Sequence, residues 1–566
     1  MTAQTNIVGR VLGTEDATPL EFWVAVREGE YLQLDDVVAL ERALPDGSSV
    51  QIFGLVIQVR ARHEGVRFDS DVFLIQDGVL PGHVSQAAKV MATRFEPEVF
   101  VPPLPGGEVR RARGAERERA LFFDGMEPRN RLGAGLSRDE EPVYLNLEFI
   151  DGTRGAHVNI SGISGVATKT SYATFLLYSL FHSDVLGADR LNTKALIYNV
   201  KGEDLLFLDH ENANLPEIER MKYQKLGLAP EAFRSVELWA PPRRDDRTAS
   251  PDVATRHTGV KSYFWTISEF CREGLLPFLF ADAEDDRQQY TMVISNVMAK
   301  LKDAVSLPDG GAQLEGREVR TFRELAKLVE ECVQDESTRP SWVGLAMGQG
   351  TVNAFLRRLY GAVRHVEHLV RGDIPNADRH MIRHQAQVSV VDLHNLSDRA
   401  QRFVVGVTLR RAFDDKEKAG VARPLLFVVL DELNKYAPRE GTSPIKETLL
   451  DVAERGRSLG IILIGAEQTA SEVERRVIGN SAVRVVGRLD TAEAGRDEYG
   501  FLPAVHRQRA TIVKPGTMIL SQPELPIPLV TRFPFPSWAT RKEEARVSTS
   551  RRPPPKGGRD PFEGLA

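Results

Sequence analysis

A chain of 566 residues exceeds what one hydrophobic core normally covers, which predicts two to four domains. Its 42% hydrophobic and 27% charged residues exclude a disordered or fibrous chain, and its two cysteines, Cys271 and Cys332, exclude a disulfide framework or a cysteine-based zinc site. The net charge of −6 excludes a uniformly basic coat for nucleic acid, but not a ring that gathers its lysines and arginines into a channel.

No apolar run approaches the roughly 20 residues needed to cross a bilayer. The first residues, MTAQTNIVGR, lack the basic start and apolar centre of a signal peptide. The expectation is a cytoplasmic protein without membrane contact.

In chain order, residues 7–80 read as short strands: IVGRVL, EFWVAVREG, YLQLDDVVAL and VQIFGLVIQVRA, broken by turn formers such as Pro45-Asp46-Gly47. This spacing predicts a small β-barrel over 1–110. The Pro-, Gly- and Arg-rich stretch Pro102–Arg119 marks its end, with a linker over 111–140. Apolar runs then recur: HVNIS, ALIYNV, VSVVDL, LLFVVLDE, GIILIGAEQ and VRVVGRL. Nearly continuous in Val, Ile and Leu, they predict parallel strands covered on both faces, in an α/β core over 141–209 and 381–530. Helical periodicity in QYTMVISNVMAKLKDAV, FRELAKLVEECV and VNAFLRRLYGAVRHVEHLV predicts a mainly helical insertion over 210–380. Residues 531–566 end in a Pro- and Arg-rich tail with little to bury.

Three segments carry chemistry. After HVNIS comes Gly162-Ile163-Ser164-Gly165-Val166-Ala167-Thr168-Lys169-Thr170-Ser171, leading into a helix-like run. Strand, Gly-containing turn, Lys-Thr pair and helix make a P-loop, in which backbone N–H groups and a helix N-terminus cradle phosphates. Gly162, Gly165, Thr168, Lys169, Thr170 and Ser171 are the candidate nucleotide-binding residues. Lys169 is placed to hold the β- and γ-phosphates of ATP, and Thr170 to hold Mg2+. The step from Gly162 to Lys169 is seven positions, one longer than the usual motif, and Thr168 stands where glycine normally precedes the lysine. The alternative is an ordinary Gly-rich turn with a solvent-facing lysine.

The second segment is LLFVVL ending in Asp431-Glu432, two carboxylates at the tip of an apolar strand. Ligands of open α/β sheets bind at strand C-termini. Asp431 is the candidate metal residue beside Thr170, and Glu432 the candidate that polarises the attacking water. The third is KETLLDVAERGRSLGIILIGAEQT (446–469), an amphipathic helix ending in Glu454-Arg455-Gly456-Arg457 and a strand ending in Gln468. An amide at that tip suits contact with a γ-phosphate, and an arginine at the helix end suits a finger reaching a neighbour's nucleotide. The alternative is that Arg455 and Arg457 only complement a helix C-terminus.

The order of P-loop, strand-Asp-Glu, helix-ERGRSLG and strand-AEQT resembles the HerA/FtsK branch of RecA-like motor ATPases, over about 140–530. The resemblance implies an N-terminal barrel, a RecA-like core with a helical insertion, and a C-terminal segment that braces the adjacent subunit. It implies that Arg457 is the better-placed finger, with Arg455 second, and that Gln468 senses phosphate. VKGED resembles the family's Asp-x-x-Gly-Glu element, with Asn199 in place of the first carboxylate and Glu203 as the second. The implied function is a homo-hexameric, ATP-driven translocase of duplex DNA that acts in DNA-end processing with a NurA-type nuclease. Alternatives are a similar motor in phage defence and a nucleotide-binding ring scaffold without turnover. Lys435 and Arg439, in the loop after Asp431-Glu432, are the candidate duplex contacts; the other reading is exposed loop charge.

Overall fold

The structure is a computed structural model that describes residues 7–64, 66, 68–80, 82–163, 168–280, 288–345, 347–374, 380–382 and 384–545. Among these residues, six strands close the N-terminal barrel: β1 (Ile7–Val11), β2 (Glu21–Val26), β3 (Val37–Ala43), β4 (Ser49–Glu64), β5 (His83–Glu96) and β6 (Glu108–Arg111), in the order β1-β2-β5-β4-β3-β6. Val8, Phe22, Val24, Val38, Ile52 and Val90 fill its interior. The first four strands are the predicted ones. β5 hides behind an alanine-rich sequence, and β6 lies in the Arg-rich stretch read as the barrel's end, where pairing with β1 and β3 makes it a strand.

The main sheet contains β7 (Arg131–Leu136), β8 (Pro142–Asn146), β9 (Val158–Ser161), β10 (Lys194–Asn199), β11 (Val236–Ala240) and β12 (Val260–Ser262). After a small three-stranded sheet of β13 (Val305–Ser306), β14 (Ala312–Leu314) and β15 (Arg317–Val319), it continues with β16 (Val388–Asp392), β17 (Leu426–Leu430), β18 (Ile461–Glu467), β19 (Val483–Val486), β20 (Thr517–Ser521) and β21 (Leu529–Arg532). Its order is β12-β11-β16-β10-β17-β18-β9-β19-β20-β21-β7-β8. Strands from β12 through β19 pair in parallel, and the remainder antiparallel. β7 therefore turns part of the expected linker into sheet, and β11 and β12 carry the sheet into the expected insertion.

Every residue of β9, β16, β17 and β18 is buried, as both-sided cover requires. Along β17, Phe427 and Val429 enter one core while Val428 and Leu430 enter the other. The first core is covered by the helix Thr168–His182 and by Phe533 and Trp538 of the C-terminal segment. Ring centroids there lie 5.1 Å apart for Tyr172 and Phe533, and 5.2 Å apart for Tyr178 and Trp538. The second is covered by the helices Asp398–Ala419 and Pro444–Leu459 and by the helices of the insertion, Gln288–Lys302, Phe322–Gln334 and Gln349–Val366. Gly460 makes the turn from Pro444–Leu459 into β18 at φ 70°; a Cβ there would lie 1.7 Å from the Ala422 carbonyl oxygen, so only glycine fits. The barrel is clamped to the core by Arg509, which donates two hydrogen bonds to Asp35 at 2.7 Å each. Among the described residues no helix is long and apolar enough to cross a membrane.

Candidate functional site

Parallel register brings the chemistry to one edge of the sheet. Ser161 of β9 lies beside Glu467 of β18, Leu430 of β17 beside Gly465, Tyr198 of β10 beside Leu430, and Asn199 beside Asp392 of β16. The end of β9, from which the candidate P-loop departs, and the Asp431-Glu432 pair after β17 thus flank the tip of β18.

Thr170 Oγ1 donates to Asp431 Oδ2 at 2.7 Å, joining residues 261 positions apart. Lys169 is buried and donates to the carbonyl oxygens of Gly162 at 2.7 Å and Ile163 at 3.3 Å, folded back on its own loop. Burial lowers its ammonium below the ordinary value, against the pull of Asp431. Gly165 and the Thr168 side chain lie outside the described residues. Ser171 and Thr174 line a cavity of about 800 Å³ that opens between the helix, Lys201, Asp431 and the C-terminal segment. Lys514, Arg532 and Arg541 line it too, together with Asp35, Asp204 and Glu219 and the apolar Ile512, Phe533 and Trp538.

Asp431 is 1% exposed and fully engaged: besides Thr170 it accepts from Lys201 Nζ at 2.9 Å and from the Glu432 backbone N–H at 2.8 Å. Glu432 adopts φ 57°, ψ 45°, a left-handed conformation costing on the order of 1–2 kcal/mol outside glycine. That bend ends the strand direction and starts the short helix Leu433–Tyr436, in which Lys435 Nζ comes 2.6 Å from Glu432 Oε2. Lys201 reaches the same carboxylate at 3.6 Å. Lys201 sits inside the VKGED segment and was passed over in the sequence, because nothing local shows that it faces a carboxylate 230 positions away.

Of the two candidate duplex contacts, Lys435 is held by Glu432 and by Asp398 at 3.4 Å. Arg439 donates to the Ser471 carbonyl at 2.9 Å and pairs with Glu498 at 3.2 Å. Both are half-exposed. Asn199 donates to Asp392 Oδ1 at 2.9 Å and to the Gly202 carbonyl at 2.7 Å, while Glu203 accepts from the Thr255 backbone N–H at 2.7 Å. Glu203 therefore caps a loop, accepting also from the Ala254 backbone N–H.

Gln468, half-buried, follows β18 between the P-loop and the carboxylates. Its neighbour Glu467 is completely buried, and burial pushes its carboxyl up to about 8. Arg455 and Arg457 are elsewhere. The helix Pro444–Leu459 runs into the beginning of β18, so both arginines lie at the opposite edge of the sheet, roughly 20 Å from the P-loop by strand rise. Arg457 Nε donates to the Gly152 carbonyl at 3.0 Å and Nη2 to that of Thr153 at 2.8 Å. Arg455 pairs with Glu417 and stacks over Phe413. Neither reaches the candidate nucleotide site of its own chain.

Among the described residues no group of three or more His, Cys, Asp or Glu side chains is arranged to hold a metal ion. Magnesium at a nucleotide takes only one or two protein oxygens, with phosphates and water completing its shell. The adjoining Thr170 hydroxyl and Asp431 carboxylate are a donor set of that kind, so the residues present fit Mg2+ with a nucleotide.

No family model matches the sequence, and no curated protein matches it. Solved structures do. VirB4 of Thermoanaerobacter pseudethanolicus is similar at 14% identity and TM-score 0.44, over 72% of this chain and 97% of its own. The bacterial conjugative coupling protein TrwBΔN70, in complex with sulphate, is similar at 11% identity and TM-score 0.47, over 75% and 94%. EssC (ATPases 2 and 3) of Geobacillus thermodenitrificans is similar at 12% identity and TM-score 0.28, over 73% and 46%. At such identities and scores, the account of the site rests on its own residues.

Proposed function

We propose that this chain is the ATP-hydrolysing subunit of a ring that translocates duplex DNA. The observation that carries the reading is the convergence of Lys169, Thr170, Asp431 and Glu432 on one sheet edge, with the Thr170 hydroxyl 2.7 Å from Asp431. Lys169 leaves the Gly162 and Ile163 carbonyls to hold the β- and γ-phosphates, and Thr170 and Asp431 hold Mg2+. Glu432 orients the attacking water and takes up its proton, and Gln468 contacts the γ-phosphate. Mg2+, when bound with ATP, supplies charge neutralisation at the transferred phosphoryl group. Arg457, with Arg455 second, completes the site of the adjacent subunit from the opposite edge of the sheet.

Coupling to DNA follows from the Lys435–Glu432 pair. A duplex phosphate that draws Lys435 away frees Glu432 for water, so DNA raises turnover; Arg439 is the second contact. The homo-hexamer, the cytoplasmic setting, the NurA-type nuclease partner and the role in DNA-end repair rest on the resemblance in motif order. A second reading, a nucleotide-binding ring without turnover, is favoured by one observation: Lys201 and Lys435 cap both carboxylates.

The test is phosphate release from ATP with and without linear duplex DNA. The proposal expects turnover stimulated by DNA and lost in Lys169→Ala. Tight nucleotide binding without turnover under either condition would select the scaffold; absence of nucleotide binding would overturn both.

A further inference from the structure

Glu467 ends β18 one residue before Gln468 and is 0% exposed. Its partners are the two polar side chains of β9, the strand that launches the P-loop. Asn159 Nδ2 lies 3.1 Å from Oε2, Ser161 Oγ lies 2.7 Å from Oε1, and Ser161 Oγ is in turn 3.3 Å from Asn159 Oδ1. The three side chains form a closed cycle.

Counting hydrogens decides which form of the carboxyl the cycle suits. With a proton on Oε1, Glu467 donates to Ser161, Ser161 donates to Asn159 Oδ1, and the Asn159 amide donates back to Oε2; each contact then has one donor and one acceptor. When Glu467 is ionised, the Ser161 hydroxyl turns to Oε1 and Asn159 Oδ1 loses its donor, in a place closed to solvent where both the charge and the orphaned acceptor are costly. Burial, the largest influence, raises the carboxyl in the same direction, against the hydrogen bonds from Ser161 and Asn159 and the charge of Lys169, which faces it from the helix after β9. Asp431, just after β17, and the buried Tyr499, from the turn Asp497–Tyr499, are further titratable groups facing it among the described residues, and Asp431 adds to the rise. The main chain of Glu467 also holds the loop: its carbonyl accepts the Gly162 N–H at 3.1 Å, and the Gly162 carbonyl holds Lys169.

We propose that Glu467 is the positioning residue of the P-loop and that it carries a proton whenever nucleotide is tightly bound. This rests on the ATP reading of the site. Phosphates on the loop repel an ionised carboxyl beneath it, so nucleotide and proton bind together. Below the free-state ionisation of Glu467 the proton is already present and affinity does not depend on it. Above about 8, binding must take up a proton, and affinity falls towards about tenfold per pH unit.

The experiment measures the affinity of the full chain for a non-hydrolysable ATP analogue with magnesium from pH 7 to 9.5, together with proton uptake read from the dependence of the binding heat on buffer. The wild type is expected to bind constantly up to about pH 8, then more weakly with rising pH, and to take up close to one proton at the alkaline end. Glu467→Gln keeps the cycle, its amide donating to Ser161, and is expected to bind at pH 7 within about twofold of wild type with no alkaline loss. A flat wild-type profile without proton uptake would overturn the proposal. So would an alkaline loss that persists in Glu467→Gln, which would assign it to Lys169. Absence of binding at every pH would overturn the ATP reading itself and this inference with it.

Discussion

The two edges of the parallel sheet are finished differently. At the C-terminal edge, charges meet charges, Lys201 with Asp431 and Glu432 and Lys435 with Glu432, and the Thr170 hydroxyl donates to Asp431. At the N-terminal edge, Arg455 is paired with Glu417, whereas among the described residues the Arg457 guanidinium donates to the backbone carbonyls of Gly152 and Thr153. A buried carboxylate such as Asp431 cannot wait unpaired, so its own chain neutralises it. An exposed arginine on two carbonyls forfeits little when it transfers to an anion. Under the proposed function, one edge receives the nucleotide and the other lends Arg457 to the adjacent copy, which places the finger in trans.

The sharpest way to break this comparison is Arg457→Ala. A finger acts on the charge developing in the transition state, so turnover should fall by about 10³–10⁵ while affinity for an ATP analogue stays near wild type. Equal losses in both would make Arg457 a structural clamp on the loop at Gly152. Next in size is Glu432→Gln, with an expected loss of about 10²–10⁴ in turnover and retained binding, because only the proton acceptor is removed. Lys435→Ala sharpens the receiving edge: basal turnover should rise a few-fold and DNA stimulation shrink, measured as phosphate release with and without duplex. Affinity for duplex should also fall steeply with salt, as phosphate contacts require.

The smallest effect concerns stability. His157, buried at φ 65° just before β9, accepts the Leu463 backbone N–H on Nδ1 at 2.9 Å, and burial pushes its ring down to about 4 from an ordinary 6.5. A folded value below the unfolded one means that the stabilisation is whole above pH 6.5 and is lost as pH falls towards 4. The amount is on the order of 3 kcal/mol. His157→Asn keeps an acceptor and tolerates positive φ, so its denaturant midpoint should depend less on pH between 6.5 and 4.5 than that of wild type.

Much of this architecture was legible because its strands announce themselves locally. LFVVL and IILIGAE are unbroken apolar runs, and parallel strands buried on both faces leave no other sequence trace. The Asp431-Glu432 pair stands out for the same reason, at the end of such a run, while Lys169 stands out by the Gly-containing turn and Lys-Thr pair that follow β9. What stayed hidden depends on partners far along the chain. Lys201 acquires its meaning only from Asp431, 230 positions on, and Glu467 from Ser161, 306 positions back. The candidate contact Lys435 was visible as a basic loop residue, but the pairing with Glu432 arises from the left-handed turn at Glu432, which no glycine advertises. Strands β6 and β12 were missed because short polar or arginine-rich segments become strands only when a neighbour's edge is waiting, and β11, though apolar, is a five-residue run inside a stretch whose periodicity elsewhere is helical.

The central claim, that the hydrolytic site is shared between two copies of the chain, is tested most directly by separating the purified protein by size and measuring nucleotide binding and ATP turnover on each fraction. The expected result is a single-chain fraction that binds the ATP analogue but does not hydrolyse ATP, with turnover confined to the assembled fraction. Equal turnover per chain in both fractions would contradict the shared site and return catalysis to the residues of one chain.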